Sequence, residues 1–154
     1  MALGHRVAVL HRGRLEQVGA PEELYRRPAT TFVAGFVGEA NLLPVAWDGA
    51  SRSLEGPWGT WRLEGSQASA FNGTARGQLL VRPENLRLAS PGGEHLRGIV
   101  LSSTFLGGRR RVQVDAGGQT LKMDLPTGQS VTPGEAIPIA IDFSASHLLP
   151  EAEF

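Results

Sequence analysis

The chain has 154 residues with 15 Lys plus Arg, 15 Asp plus Glu and no cysteine, a length that fits one ordinary domain or one domain with a short appendage. The zero net charge argues against a general binder of nucleic acid or acidic membranes, and the missing cysteine excludes disulfides, cysteine-ligated metals and cysteine nucleophiles. Gly and Pro make up nearly a fifth of the chain, against a usual ~12%, which favours tight turns and short strands over a helical bundle.

The first predicted element is a short β-hairpin over residues 6–18, with Gly13 supplying its turn. Its first arm is almost wholly apolar, as in a strand that is buried on both faces. Because the arm stands at the start of the chain, we expect some further part of the protein to cover it.

Two short helices are predicted next. Pro21 suits the first position of a helix, where its missing N–H costs nothing, and Pro28 ends that helix. In the second helix Thr30 or Thr31 can cap the start, an apolar stripe follows, and Gly38 stops it. Neither helix is long enough to be stable alone in water.

From Leu42 onward the pattern is that of a β-domain, with short runs of strand-forming residues separated by Gly, Pro and Asn turn signals. Strands this short and closely spaced predict a small barrel or sandwich. The predicted strands are Leu42–Trp47, Ser53–Leu54, Trp58–Leu63, Gln78–Arg82, Leu96–Phe105, Arg110–Asp115, Thr120–Leu125 and Ala136–Ile141.

The lysine count bears on nucleotide binding. Fourteen of the 15 basic residues are Arg, and the only lysine is Lys122. A P-loop needs a glycine-rich loop that ends in Lys followed by Ser or Thr, whereas Lys122 lies between Leu121 and Met123. We therefore expect no P-loop ATP binding by this chain. We also expect no signal peptide and no membrane span, because no apolar run approaches the required length.

Nearly forty consecutive residues of the N-terminal part carry a resemblance. The runs Arg6–Leu10, Gly13–Pro28 (GRLEQVGAPEELYRRP) and Phe32–Leu43 (FVAGFVGEANLL) closely resemble the closing segment of the nucleotide-binding domain of ABC importer ATPases. The subfamily is the one that serves maltose, sulfate, ferric-iron and polyamine importers. This resemblance implies that residues 1–43 are the C-terminal remnant of such a domain.

The later residues resemble the TOBE domain, an OB-like β-barrel that follows the nucleotide-binding domain in that subfamily. The matching segments occur in the order in which the TOBE domain has them. They are Val81-Arg82-Pro83-Glu84, Leu96–Val100, Phe105-Leu106-Gly107 and Gly134–Ile141. The implied fold is mainly β, with a small OB-like (TOBE) barrel over residues 44–154 preceded by a hairpin and two short helices.

The resemblance implies a non-catalytic regulatory and dimerisation module of an ABC importer ATP-binding subunit, acting in uptake of a small solute such as ferric iron, polyamine, sulfate or sugar. The implied partners are a second copy of the subunit and, through the nucleotide-binding domain, the permease. The implied location is cytoplasmic, at the inner face of the cell membrane. ATP and magnesium belong to the full-length parent, and we expect no catalytic, cofactor-binding or metal-binding residue in this chain.

Two other functions stay open. The densest charge cluster, Arg109, Arg110 and Arg111 after Gly107-Gly108, is a candidate anion site, which would make the chain a sensor of an oxyanion or substrate-like ligand. The same cluster beside Phe105 is compatible with OB-type nucleic-acid binding, although the zero net charge disfavours it. The alternative is a solvated hairpin end protected by charge.

Arg82, Pro83 and Glu84 form the candidate interface motif. It is functional if its charges bridge domains or subunits, and otherwise it is the architecture of a strand end and a turn. The four histidines are expected to be ordinary surface or strand-end residues, because no nearby acidic or cysteine residues complete a metal-ligand set. Trp58 and Trp61 are expected to face opposite sides of one strand.

Overall fold

The computed structural model describes residues 5–68 and 71–151. The chain forms a two-stranded sheet, two short helices and two five-stranded antiparallel sheets. The first four residues lie outside the described residues, so the prediction that no signal peptide is present cannot be compared with the structure there. No helix within the described ranges has the length and hydropathy needed to cross a bilayer.

The strands and helices follow one another as a hairpin, a helical pair and ten further strands. Their bounds are β1 Val7–His11, β2 Arg14–Gly19, α1 Pro21–Arg26, α2 Thr31–Val37, β3 Asn41–Asp48, β4 Ser53–Gly56, β5 Gly59–Arg62, β6 Thr74–Val81, β7 Leu86–Leu88, β8 Leu96–Phe105, β9 Arg110–Ala116, β10 Gln119–Leu125, β11 Ala136–Ile141 and β12 His147–Pro150.

The N-terminal elements form for local reasons. Arg12 (φ 52°) and Gly13 (φ 76°) both adopt the left-handed conformation that a two-residue hairpin turn requires. Pro21 occupies the first turn of α1. The Thr30 hydroxyl accepts the Val33 N–H at 3.2 Å and so caps α2. These three features confirm the predicted hairpin and helix starts.

The hairpin is covered on one face only. Val9, at 1% exposure, packs against Leu24 and Val33 of the two helices. On the other face Leu10 is 65% exposed and pairs across the strands with Leu15, at 59%. The expected burial of both faces is therefore not found among the described residues, where the outer face has no cover.

One hydrophobic core serves both large sheets. The sheet orders are β10-β9-β8-β11-β7 and β12-β6-β3-β4-β5. Inward-facing residues of both sheets pack together, including Leu43 and Leu79 of one sheet and Val112 and Ile139 of the other, all at 0% exposure. This arrangement confirms the predicted mainly β fold, and the division at residues 43 and 44 stays a prediction.

The two tryptophans join the sheets, and the prediction about them was wrong. Their rings stack at 6.4 Å instead of facing opposite sides, because Trp58 lies in the turn before β5 and only Trp61 is in the strand. The Trp58 indole N–H donates to the Ala116 carbonyl at 3.0 Å, and that of Trp61 donates to the His95 carbonyl at 2.9 Å. Both carbonyls belong to or flank strands of the other sheet.

Three strands show the limits of the sequence pattern. β6 begins at Thr74, four residues before the predicted start, and β7 (Leu86–Leu88) and β12 (His147–Pro150) are not among the predicted strands. β12 pairs with β6 over only four residues and contains a proline, so it lacks the length and alternation that identify a strand.

Candidate functional site

Arg82 lies where the β-domain meets the N-terminal helices. β6 ends at Val81, and Pro83 starts a single turn of 3-10 helix over Pro83–Asn85. The Arg82 residue is only 3% exposed. Charged residues are rarely buried this far unless every donor has a partner.

The Arg82 guanidinium satisfies carbonyl groups at the ends of both helices. Its Nη1 donates to the carbonyl oxygens of Ala34 at 2.9 Å, Gly38 at 3.2 Å and Glu39 at 2.9 Å. Its Nη2 and Nε donate to the Tyr25 carbonyl at 2.8 and 3.3 Å. The last carbonyls of a helix lack intrahelical partners and carry partial negative charge. Arg82 therefore caps α1 and α2 together, from the position directly after strand β6.

The Tyr25 side chain completes this junction. Its ring lies 4.1 Å from the Arg82 guanidinium carbon, which is the geometry of a cation–π contact. Its hydroxyl donates to the Glu84 carboxylate. Burial first, and the hydrogen bond to Glu84 second, raise the pKa of Tyr25 to about 12, so the phenol keeps its proton and remains a donor.

The candidate motif Arg82-Pro83-Glu84 thus bridges the N-terminal segment and the β-domain. Pro83 is buried at the first position of the 3-10 turn and supplies no N–H there. Its fixed φ turns the chain immediately after Arg82, while Glu84 stays near the surface to receive the Tyr25 hydroxyl. Because both charged residues contact the helices, the motif is a contact between segments and more than a strand end.

A second set of side-chain hydrogen bonds joins the start of β3 to the edge strand β10. The Asn41 side chain donates to the Lys122 carbonyl at 2.7 Å and accepts the Lys122 N–H at 2.8 Å. The Gln119 amide donates to the Leu42 carbonyl at 2.6 Å. The side-chain amides therefore cover an otherwise open strand edge.

Lys122 forms an ion pair with the segment that follows α2. Its Nζ lies 2.7 Å from the Glu39 carboxylate, and this contact lowers the pKa of Glu39. The only lysine of the chain is thus held within strand β10, in a place that does not fit the phosphate-binding lysine of a P-loop.

The three arginines of the candidate anion site diverge. Arg109 and Arg111 both pair with the Asp124 carboxylate, Arg109 at 3.2 Å. Arg110 points to the opposite side of the strand, where it donates to the Ser103 hydroxyl at 3.4 Å and lies over the Phe105 ring. The cluster therefore presents one carboxylate-neutralised pair and one separate arginine, because neighbouring residues of a strand alternate between faces.

Three histidines lie at or beside strand ends, as expected, and each is partly buried. His11 ends β1 and stacks on Phe32 with ring centres 3.7 Å apart, and His147 begins β12. His95 accepts the Ile141 backbone N–H on Nδ1 at 2.9 Å. Within the described residues no three His, Asp or Glu side chains are grouped to hold a metal ion.

The lowered pKa values of His95 and His147 predict that the fold loses stability in acid. Burial first, and the Arg87 charge second, lower the pKa of His95, and burial also lowers the pKa of His147. The unfolded chain then binds protons at higher pH than the folded chain. The stabilisation is complete above about pH 6.5, the ordinary histidine value, and is lost as the pH falls through the folded-state pKa.

Urea unfolding between pH 7.5 and 5 measures this loss directly. We expect the free energy of unfolding to fall toward pH 5, and to fall less steeply in His95→Asn, whose amide oxygen can accept the Ile141 N–H without titrating. An equal slope in the variant and the original chain would contradict this role for His95.

Sequence reasoning missed two residues of the junction. Tyr25 and Asn41 have no local pattern that marks them, since their partners Glu84 and Lys122 lie 59 and 81 residues away along the chain. Arg82 was singled out, but its contacts with carbonyls of both helices were not foreseen.

Comparison with known protein families gives a match over part of the β-domain. Residues 79–149 match the TOBE domain. This match includes the Arg82-Pro83-Glu84 motif and the arginines at 109–111.

Curated relatives match along most of the chain. The chain is 38% identical to the sn-glycerol-3-phosphate import ATP-binding protein UgpC of Chromobacterium violaceum, over 96% of the chain and 40% of the relative. It is 35% identical to the Fe(3+) ions import ATP-binding protein FbpC of Rhizobium etli, over 87% of the chain and 40% of the relative. It is 35% identical to the spermidine/putrescine import ATP-binding protein PotA 1 of Pseudomonas aeruginosa, over 97% and 42%. The chain spans about two fifths of the length of these relatives.

Proposed function

Because this chain carries a TOBE domain and belongs with the C-terminal region of the ABC importer ATP-binding subunits, we propose that it is the regulatory and dimerisation module of such a subunit. It performs no catalysis itself. ATP and magnesium act in a nucleotide-binding domain, and the module holds two subunits together while they close and open. The solute that the importer takes up is a small one, of the same kind as the glycerol phosphate, ferric ion and polyamines in the names of the relatives.

The observation that carries this proposal is the one-sided hairpin. Its outer face presents Leu10 and Leu15, both more than half exposed, with Val18 beside them. A two-stranded sheet is marginally stable alone, and its unpaired edges invite further strands. The face therefore suits docking onto the sheet of a nucleotide-binding domain, and the Arg82 junction connects that sheet to the β-domain.

A second apolar surface supports dimerisation. Ile99, Leu101 and Phe105 of β8 and Leu106 of the following turn are exposed large hydrophobic residues. They follow one another along β8 and the turn after it, and exposed apolar residues of this size are found at protein–protein contacts. We assign this surface to a second copy of the subunit. The proposed location is the cytoplasmic side of the membrane, reached through the nucleotide-binding domain and its permease.

The docking role is tested with the double variant Leu10→Ser, Leu15→Ser. The partner is the nucleotide-binding domain of the Chromobacterium relative, prepared without its own matching C-terminal region, and sedimentation velocity measures the complex. We expect binding by the original chain and at least tenfold weaker binding by the variant, since burying each leucine contributes about 1.5 kcal/mol or more.

The control is Leu106→Ser, which removes an exposed leucine of the other surface. We expect it to bind the nucleotide-binding domain as the original chain does. The proposal fails if the hairpin variant binds the nucleotide-binding domain with unchanged affinity. It also fails if the original chain does not bind, although the chain and the nucleotide-binding domain each unfold cooperatively on heating and are therefore folded.

A further inference from the structure

A polar cleft lies between the end of α1 and the β-domain. Its volume is about 620 Å³, and it is lined by α1 on one side and by the turn before β12 on the other. Pockets of roughly 300–1,000 Å³ are the size that small-molecule ligands occupy. Neither the anion site considered at Arg109–Arg111 nor the docking role uses this cleft.

The cleft leaves one arginine side chain without a partner. Arg26 pairs with Glu22 at 3.0 Å, and Arg82, which also lines the cleft, directs its donors to backbone carbonyls. Arg27 lines the same cleft, and among the described residues it forms no ion pair. Its guanidinium is therefore the one available to an anionic ligand.

The opposite wall supplies hydrogen-bond acceptors. Ser144 donates its hydroxyl proton to the Asp142 carboxylate at 2.6 Å, and Ser146 donates to the Asp142 carbonyl at 2.8 Å. Their oxygen lone pairs remain available as acceptors. His147 contacts the Pro28 carbonyl, and burial lowers its pKa, so the neutral ring donates there and keeps one nitrogen as an acceptor.

We propose that this cleft binds a small hydroxylated monocarboxylate, the chemistry of a sugar acid. Its carboxylate fits the unpaired Arg27, which binds carboxylates through two parallel hydrogen bonds. Its hydroxyl groups donate to Ser144, Ser146 and His147. Because Arg27 follows α1 and the other three residues belong to the β-domain, the ligand bridges the two parts that Arg82 joins. This proposal does not depend on the proposed function.

Titration of the chain with gluconate tests the proposal. Sorbitol tests the hydroxyl groups alone, and acetate tests the carboxylate alone, all followed by amide chemical shifts in NMR. We expect saturable shifts at residues 144–147 with gluconate, and at least tenfold weaker binding of sorbitol and acetate. Absence of saturable shifts at these residues with gluconate would overturn the proposal while leaving the docking test unaffected.

Two arginine variants sharpen the test. We expect Arg27→Gln to weaken gluconate binding about tenfold, as removal of a charged hydrogen-bonding partner does, and Arg27→Lys to weaken it less. Arg97→Gln is the matched control outside the cleft, since its ion pair is with Glu94, and it should bind gluconate as the original chain does. Equal binding by Arg27→Gln, or equal losses in Arg97→Gln and Arg27→Gln, would overturn the assignment. The amide spectrum reports whether each variant is folded.

Discussion

Replacing Arg82 with alanine is expected to lower the free energy of unfolding by about 3–4 kcal/mol. The guanidinium makes five hydrogen bonds to four backbone carbonyls and lies against the Tyr25 ring. Without it, the last carbonyls of α1 and α2 lose their partners in a buried place. Arg82→Lys should recover only part of the loss, because a single ammonium group cannot reach carbonyls on both helices.

Urea unfolding measures the loss, and Arg97→Ala is the matched control. Arg97 is largely exposed, and its one ion pair, to Glu94, spans 3.7 Å. Surface pairs of this kind contribute at most about 1 kcal/mol. If Arg82→Ala lost no more stability than Arg97→Ala, the capping role of Arg82 would be refuted.

Replacing Gly77 with alanine is expected to destabilise the chain by about 3 kcal/mol or more. Gly77 lies in β6 opposite Pro150 of β12. A methyl group there would lie 2.8 Å from the Leu149 carbonyl carbon and 2.9 Å from the Pro150 Cα. These are backbone atoms, so relief requires β12 to move away from β6.

Gly128→Ala is the control for this substitution. An added methyl group at Gly128 meets no atom within 4 Å, and its φ lies outside the left-handed region. We expect its thermal midpoint to stay within the range of ordinary surface substitutions, while Gly77→Ala melts several degrees lower. Equal melting of both variants would show that β12 can shift without loss.

The elements that could be predicted are those with local causes. The hairpin depends on the turn at Arg12-Gly13, α1 on its proline, and α2 on the Thr30 hydroxyl. Long alternating strands such as β9 and β10 were also recognised within a residue of their observed ends. In each case the decisive atoms lie within a few residues of one another.

The candidate site was predictable only in part, because its contacts join distant residues. The sequence pointed to Arg82 and Glu84, yet the carbonyls that Arg82 meets lie 43 to 57 residues away. The arginines at 109–111 suggested one anion site, but strand alternation separates Arg110 from the other two. Asp124, which neutralises Arg109 and Arg111, comes from the neighbouring strand β10.

The most direct test of the account is a distance between the hairpin and the β-domain. The chain contains no cysteine of its own. Spin labels therefore react only with the two introduced cysteines, Arg14→Cys in the hairpin and Thr127→Cys in an exposed turn of the β-domain. Pulsed electron paramagnetic resonance then gives the distribution of distances. We expect one narrow distribution, which broadens when Arg82→Ala is added. A broad distribution in the Arg82 protein, or no change in the variant, would contradict the claim that Arg82 joins the two parts.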